Sequence, residues 1–284
     1  GTIVELADHA PFYTGGNNIV WVQEGHRLGE VYVGKHDGVF AYDESNAFDD
    51  NWNQLTPIFS NGVFDHYEKD GQRYSGNVNK KKQGSTVLMG GDVNWLDSPD
   101  DLDGVIDWTK DRVYGGCSQP VVYGGFGSNF TYKNVSLYVQ FNYSLGGDIY
   151  NQALYGRNGF TLGKAAPTNE FIYNAWTDQG DVSKYPKLDS NRSVNKQGCT
   201  DYWIEDGSFI RLSSARMSYS LPQSVINYFR LKEASVYMYG SNLLTWTNYS
   251  GFDPEFGGDT LAPGVDNGRY PRKREFGLGL NLTF

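Results

Sequence analysis

Residues 275–284 read Glu-Phe-Gly-Leu-Gly-Leu-Asn-Leu-Thr-Phe, with Phe276, Leu278, Leu280, Leu282 and Phe284 at every second position. A strand sends successive side chains to opposite faces, so this segment presents one wholly apolar face and one polar face. Two kinds of protein use such a strand. A soluble sandwich packs the apolar face under a second sheet, and an outer-membrane barrel turns it towards lipid.

The same alternation recurs upstream. Val135, Leu137, Val139, Phe141, Tyr143 and Leu145 alternate with polar residues over a full barrel-strand length, and Val122, Phe126, Phe130 and Tyr132 share a face just before them. Only Lys133-Asn134 lies between, which predicts a tight hairpin turn. A further strand is expected over 208–221. Ile210 and Leu212 occupy one parity there, whereas Ala215, Met217, Tyr219 and Leu221 occupy the other. One extra residue at Ser213-Ser214, a β-bulge, accounts for the shift. Pro222, which has no N–H for the ladder, stops this strand. A partner strand is expected over 231–246 and a last one over 273–284.

The connections are unequal. Lys133-Asn134 and 222–230 are short, whereas 146–207 and 247–272 are long, and the two kinds alternate along the chain. Outer-membrane barrels have short periplasmic turns and long extracellular loops, which favours the barrel. Leu137, Val139, Phe141, Leu278, Leu280 and Leu282 are then expected to face lipid. Tyr138, Tyr237 and Tyr239 would face the lumen, and Trp246 and Phe284 the interfacial belt. Segments 18–24 and 28–40 read as two more strands, and 41–120 as loop. Six or seven strands fall short of the eight that close the smallest barrel of this class, so part of the barrel is expected to lie outside the chain. Residues 1–4 match neither a signal peptide nor a lipoprotein leader.

Composition narrows the function. The chain holds 21 Tyr, 16 Phe, 7 Trp and 35 Gly, which suits strands and long polar loops better than helices. No run of about 18 apolar residues is present, so a transmembrane helix is excluded, which leaves a barrel untouched. A net charge of −9 argues against nucleic acid as a partner. The four histidines never stand at metal-ligand spacing. The absence of G-x-S-x-G, of a phosphate loop and of a Cys–His pairing leaves an enzyme no residues to work with.

Five stretches then carry a resemblance to a known family. They are VWVQEGHRLGEVYVGKHDGVF (20–40), GDVNW with DDLDGVIDWTKDRVYGG (91–116), SFIRLSSARMSYSLP (208–222), GSNLLTWTNYSGFDPE (240–255) and YPRKREFGLGLNLTF (270–284). In this order along the chain they resemble segments of SusC/RagA-type TonB-dependent outer-membrane transporters, the fourth most specifically. The resemblance implies an all-β fold, a sector of a large antiparallel transmembrane β-barrel of 22 strands with long extracellular loops. Residues 1–284 would be the C-terminal portion of that barrel domain, with the plug domain and the TonB-contacting segment outside the chain. Family members import oligosaccharides, glycans or peptides across the outer membrane of Gram-negative bacteria, and a SusD-like surface lipoprotein caps them. The insert 41–90 matches no motif of the family. Two other readings stay open: a soluble carbohydrate-binding β-sandwich, and a small stand-alone outer-membrane barrel.

Candidate site residues follow. Aromatic residues outside the expected strands (Trp52, Trp95, Trp108, Tyr155, Phe160, Trp176, Tyr185, Trp203 and Tyr249) can pack within folded loops, meet the lid or stack on substrate. Trp52, Trp95, Trp176, Trp203 and Tyr249 are the candidates for substrate or lid contact. Asp101, Asp103 and Asp107 resemble half of an EF-hand loop, and Ca²⁺ is the ion they would take. With Gly104 at position 6, however, positions 1 and 12 are Pro99 and Lys110, and a solvated acidic loop fits the same residues. No other cofactor is expected. Asp253-Pro254-Glu255 reads as a turn. Cys117 and Cys199 lead into strands separated by a single strand, at an oxidising cell surface, and are a candidate disulfide.

Overall fold

The structure is a computed structural model that describes residues 1–6, 10–158, 167–189, 191–196, 198–256 and 258–284. Five long strands form one antiparallel sheet in chain order: Val122–Tyr132, Val135–Leu145, Phe209–Ser220, Glu233–Thr247 and Glu275–Thr283. We call this sheet the wall. Tyr132 pairs with Val135 across the two-residue turn, where Lys133 takes the left-handed backbone that a tight hairpin requires (φ 54°). The third strand ends at Ser220, two residues before Pro222, whose carbonyl accepts the amides of Val225 and Ile226 in the short helix Gln223–Tyr228. The bulge falls where the parity shift puts it. Gln140 pairs with Ser214 and Phe141 with Leu212, which leaves Ser213 over, and its hydroxyl donates to the Gln140 carbonyl at 3.0 Å.

Pairing turns the alternation of single strands into a face. Phe130, Leu137, Met217, Met238 and Leu278 form one row across all five strands, and Tyr132, Val135, Tyr219, Val236 and Leu280 form the next. The last strand shows how open this face is: Leu278 is 80% exposed and Phe276, in the row beyond, 77%. Among the described residues no second sheet covers this face, so the sandwich reading is set aside. Eleven residues at about 3.4 Å each, tilted by roughly 40°, rise about 29 Å, enough for the apolar band of an outer membrane. Among the described residues these five strands do not close, and both edge strands keep an unpaired ladder.

The other end of the wall, opposite the tight turns, carries a folded layer built from residues 10–120 and from the long connections. Segments 18–24 and 28–40 do hold strands, but not wall strands. Val20–Val22 and Glu30–Val33 pair with each other and with Phe12–Thr14 and Val113–Cys117 in a separate sheet. Glu30–Val33 alternates like the wall, yet three or four residues cannot cross a membrane, and Val20, Val22, Val31 and Val33 are buried in protein instead. Residues 41–120 are likewise ordered. The hairpin Thr56–Ser60 and Val63–Lys69 turns on Asn61-Gly62, both with positive φ. Asn-Gly between two strands is a strong hairpin signal that the sequence carries in plain view.

This layer has a core of its own. One cluster gathers Ile19, Val20, Val31, Val33, Tyr150, Phe171, Cys199 and Trp203, and a second gathers Phe40, Phe48, Leu88, Val93, Trp95, Ile106 and Val194. Trp108 and Tyr202 pack against both clusters and join them.

Candidate functional site

The wall's second face is polar. Tyr138, Gln140, Asn142, Arg211, Arg216, Tyr237, Tyr239 and Thr245 lie on it by register. The Arg216 guanidinium stands 4.0 Å from the centre of the Tyr237 ring, a cation–π contact. Tyr237 and Tyr239 lie over Gly279 and Gly277 of the last strand, and a Cβ at Gly279 would come within 2.2 Å of the Tyr237 ring. Glycine is required there because the tyrosine covers the backbone.

Where this face meets the loop layer, a cavity of about 650 Å³ opens. Tyr123, Asn142, Ser144 and Phe209 contribute from the wall, and Ser118, Asp148, Pro254 and Phe256 from the loops. A smaller cavity of about 330 Å³ is lined by Arg211, Thr245, Phe252, Pro254, Arg272 and Arg274. Residues 252–256 run between the two. Asp253 and Glu255 act here as more than a turn, because both engage Arg211 of the third wall strand. Their separation in sequence and the shifted parity of the strand hide this link.

The candidate aromatics go elsewhere. Trp95 is 0% exposed, meets Trp108 edge-on with ring centres 5.1 Å apart, and donates its indole N–H to the Val194 carbonyl. Trp203 is 1% exposed against Tyr155. Tyr249 is buried, its hydroxyl donating to Asp266 at 2.6 Å, and burial pushes its phenol pKa up. These three pack in the interior of the loop layer. The reason is length: connections of this size need an interior of their own, and aromatics fill it. Trp176 is half-buried, bonded to the Ala41 carbonyl, with the Lys187 ammonium over its ring. Trp52 is half-buried between Phe48 and Gly104. Tyr185 packs on Phe171, and Phe160 lies outside the described residues.

The acidic stretch is not assembled into a metal site. Asp101 pairs with Lys110 at 2.8 Å, Asp103 accepts the Val105 amide, and Asp107 accepts the amide and hydroxyl of Thr109. Asp103 and Asp107 each close on their own turn. Among the described residues no group of three or more His, Cys, Asp or Glu converges. Asp97 and Asp111 stitch the loop instead, accepting the amides of Gly104, Ser98 and Asp107. Burial raises Asp97 to about 6 and lowers the neighbouring Lys81 ammonium to about 8.

The expected disulfide is absent, since Cys117 and Cys199 are both free and buried. Cys117 pairs with Glu30, while the Cys199 carbonyl accepts the amide of Gly34, four residues further along the chain (34 − 30). At about 3.3 Å per residue the two sit roughly 13 Å apart, beyond the 7 Å or so a bridge can span. Adjacency of wall strands was the wrong guide, because neither cysteine belongs to the wall.

An uncovered apolar face, a polar face behind it, tight turns at one end and a folded layer at the other define a segment of an outer-membrane β-barrel. Over 99% of its length the chain is 36% identical to a TonB-dependent receptor of Formosa agariphila, of which it spans 27%. It is 24% identical to the TonB-dependent receptor SusC of Bacteroides thetaiotaomicron, spanning 24% of that protein. The RagAB peptide transporter superposes on the whole chain with a TM-score of 0.64 at 22% identity, over 26% of that structure's chain. No protein-family profile matches the sequence. The chain belongs to the TonB-dependent receptors and spans about a quarter of the length of the relatives it matches.

Proposed function

We propose that the chain forms part of the barrel wall and surface loops of a transporter in the outer membrane of a Gram-negative bacterium. The complete protein would import an oligosaccharide or a peptide with energy delivered through TonB. The observation that carries this is the two-faced wall, whose polar face ends in the cavity of about 650 Å³ beneath the loop layer. Aromatic rings beside hydroxyl and amide groups suit either a sugar or an extended peptide. The plug and the TonB-contacting segment would come from the remainder of the protein, which also supplies the strands that close the barrel. A SusD-like lipoprotein would cover the loop layer, as family membership suggests.

The test deletes the complete gene in its host and measures uptake of labelled oligosaccharide and peptide pools by intact cells. Loss of one pool's uptake, restored by the gene but not by a gene lacking the TonB-contacting segment, supports the reading. Uptake unchanged for every pool would remove it. Affinity purification of the complete transporter in mild detergent should bring down a surface lipoprotein in near-equal amount.

A further inference from the structure

Asp253-Pro254-Glu255 would be a self-sufficient turn if Asp253 did no more than accept the Glu255 amide, at 2.9 Å. It does much more. Asp253 Oδ1 also accepts Nη2 of Arg211, and its Oδ2 accepts the backbone amide of Arg272 at 3.0 Å. Glu255 stands 3.5 Å from Arg211 Nη1 with one oxygen and 2.7 Å from Arg272 Nη2 with the other. A single wall arginine thereby holds the outgoing leg of the loop, at 253–255, and through the two carboxylates its return leg at Arg272.

Arg211 is 2% exposed, and its Nε has no partner among the described residues. A buried ion pair is weak evidence for stability, since desolvating both charges offsets most of their attraction. What a guanidinium held between two carboxylates does supply is a fixed direction and a fixed distance. That function matches the position of the loop. Pro254 lines both cavities, Phe252 lines only the smaller and Phe256 only the larger. Residues 252–256 are the partition between them.

We propose that Arg211 is a positioning residue that holds residues 252–256 as a strap across the polar face of the wall and so sets the boundary of the larger cavity. The proposal rests on that cavity belonging to the import path only for its consequence on uptake; the position of the strap is testable by itself.

The experiment uses the complete transporter in its own outer membrane, with a cysteine introduced at Phe256 and a fluorescent maleimide added to intact cells. Both cysteines of this chain are buried, and the transporter without the added cysteine gives the background. A second cysteine at Asn61, on the tip of the remote hairpin, serves as control. Arg211→Gln should speed labelling at Phe256→Cys by about tenfold and leave labelling at Asn61→Cys unchanged, with the same amount of barrel in the membrane. Arg211→Lys keeps the charge but loses the fork, so it should give an intermediate rate. Labelling at Phe256→Cys within twofold of the parent would overturn the proposal, as would equal acceleration at Asn61→Cys. If Arg211→Gln does not assemble, Glu255→Gln decides, because it keeps the Arg211–Asp253 pair while loosening the return leg; a two- to threefold acceleration supports the strap, and none overturns it. Should the strap loosen while uptake of every offered pool stays normal, the positioning role stands and the import reading of the cavity falls.

Discussion

The wall and the loop layer use the same residues in opposite ways. In the wall, Phe276 and Leu278 stand out from the sheet with nothing against them; in the layer, Trp95 and Trp203 are sealed from solvent. Both are written in alternating apolar and polar residues, as Glu30–Val33 and the last strand show side by side. Alternation therefore says that a strand has two faces and does not say what each face meets. Length does: 9–15 residues in the wall against mostly two to five in the layer's sheets.

Three substitutions in the complete transporter would break or sharpen this contrast. The largest effect is expected inside the layer. Trp203→Ala removes a buried indole from the centre of one cluster, a loss of about 3–5 kcal/mol. The wall should still assemble, with heat-modifiable migration on gels intact, while the loops become quickly cleaved by added protease. Failure of the barrel itself would mean that wall and layer fold as one unit.

Next in size, Met217→Arg places a charge in the row shared by Leu137, Met238 and Leu278, at a cost of about 2–4 kcal/mol near the bilayer midplane. Ser218→Arg, one residue on and facing the other way, should be close to neutral. The measurement is the fraction of heat-modifiable barrel in the outer membrane, and equal loss for both would refute the assignment of the faces.

The smallest effect is titration within the layer. Asp97 is raised to about 6, so between its ordinary value of 3.8 and about 6 the folded loop holds a proton that the unfolded chain releases. Stability of the layer should then fall as pH rises through that window. Asp97→Asn should remove the slope, shifting the melting temperature by about 2 °C or less. Thermal melts of purified transporter from pH 4 to 8 would show it, and an unchanged slope would assign the titration to other groups.

The wall was legible because its signals are local and redundant. Parity, strand length, Lys133-Asn134 and Pro222 each mark it independently, and the parity shift even marks the bulge. The layer was not, because its sheets join segments far apart in sequence, as Val93–Trp95 pairs with His36–Val39, and such short strands hold little periodicity. The burial of Trp95, Trp203 and Tyr249 was hidden for a related reason. A tryptophan in a connection looks like a contact residue until one knows that the connection has an interior. The Arg211 contact with Asp253 and Glu255 spans about forty residues and joins two motifs that looked complete separately.

Ser213 works as a frameshift in the third wall strand. Below it the odd-numbered Ala215, Met217 and Tyr219 share the outer face, and above it the even-numbered Ile210 and Leu212 do. Read without the extra residue, Arg211 has the parity of Met217, and its guanidinium would point into hydrocarbon. The inserted serine moves it to the aqueous side, where two carboxylates meet it. Adding or removing one residue elsewhere between Phe209 and Ser220 would exchange oil for water along everything beyond the change. A lineage of such proteins can therefore lengthen or shorten this strand only in steps of two, and the odd-sized indels that surface loops absorb freely are closed to it.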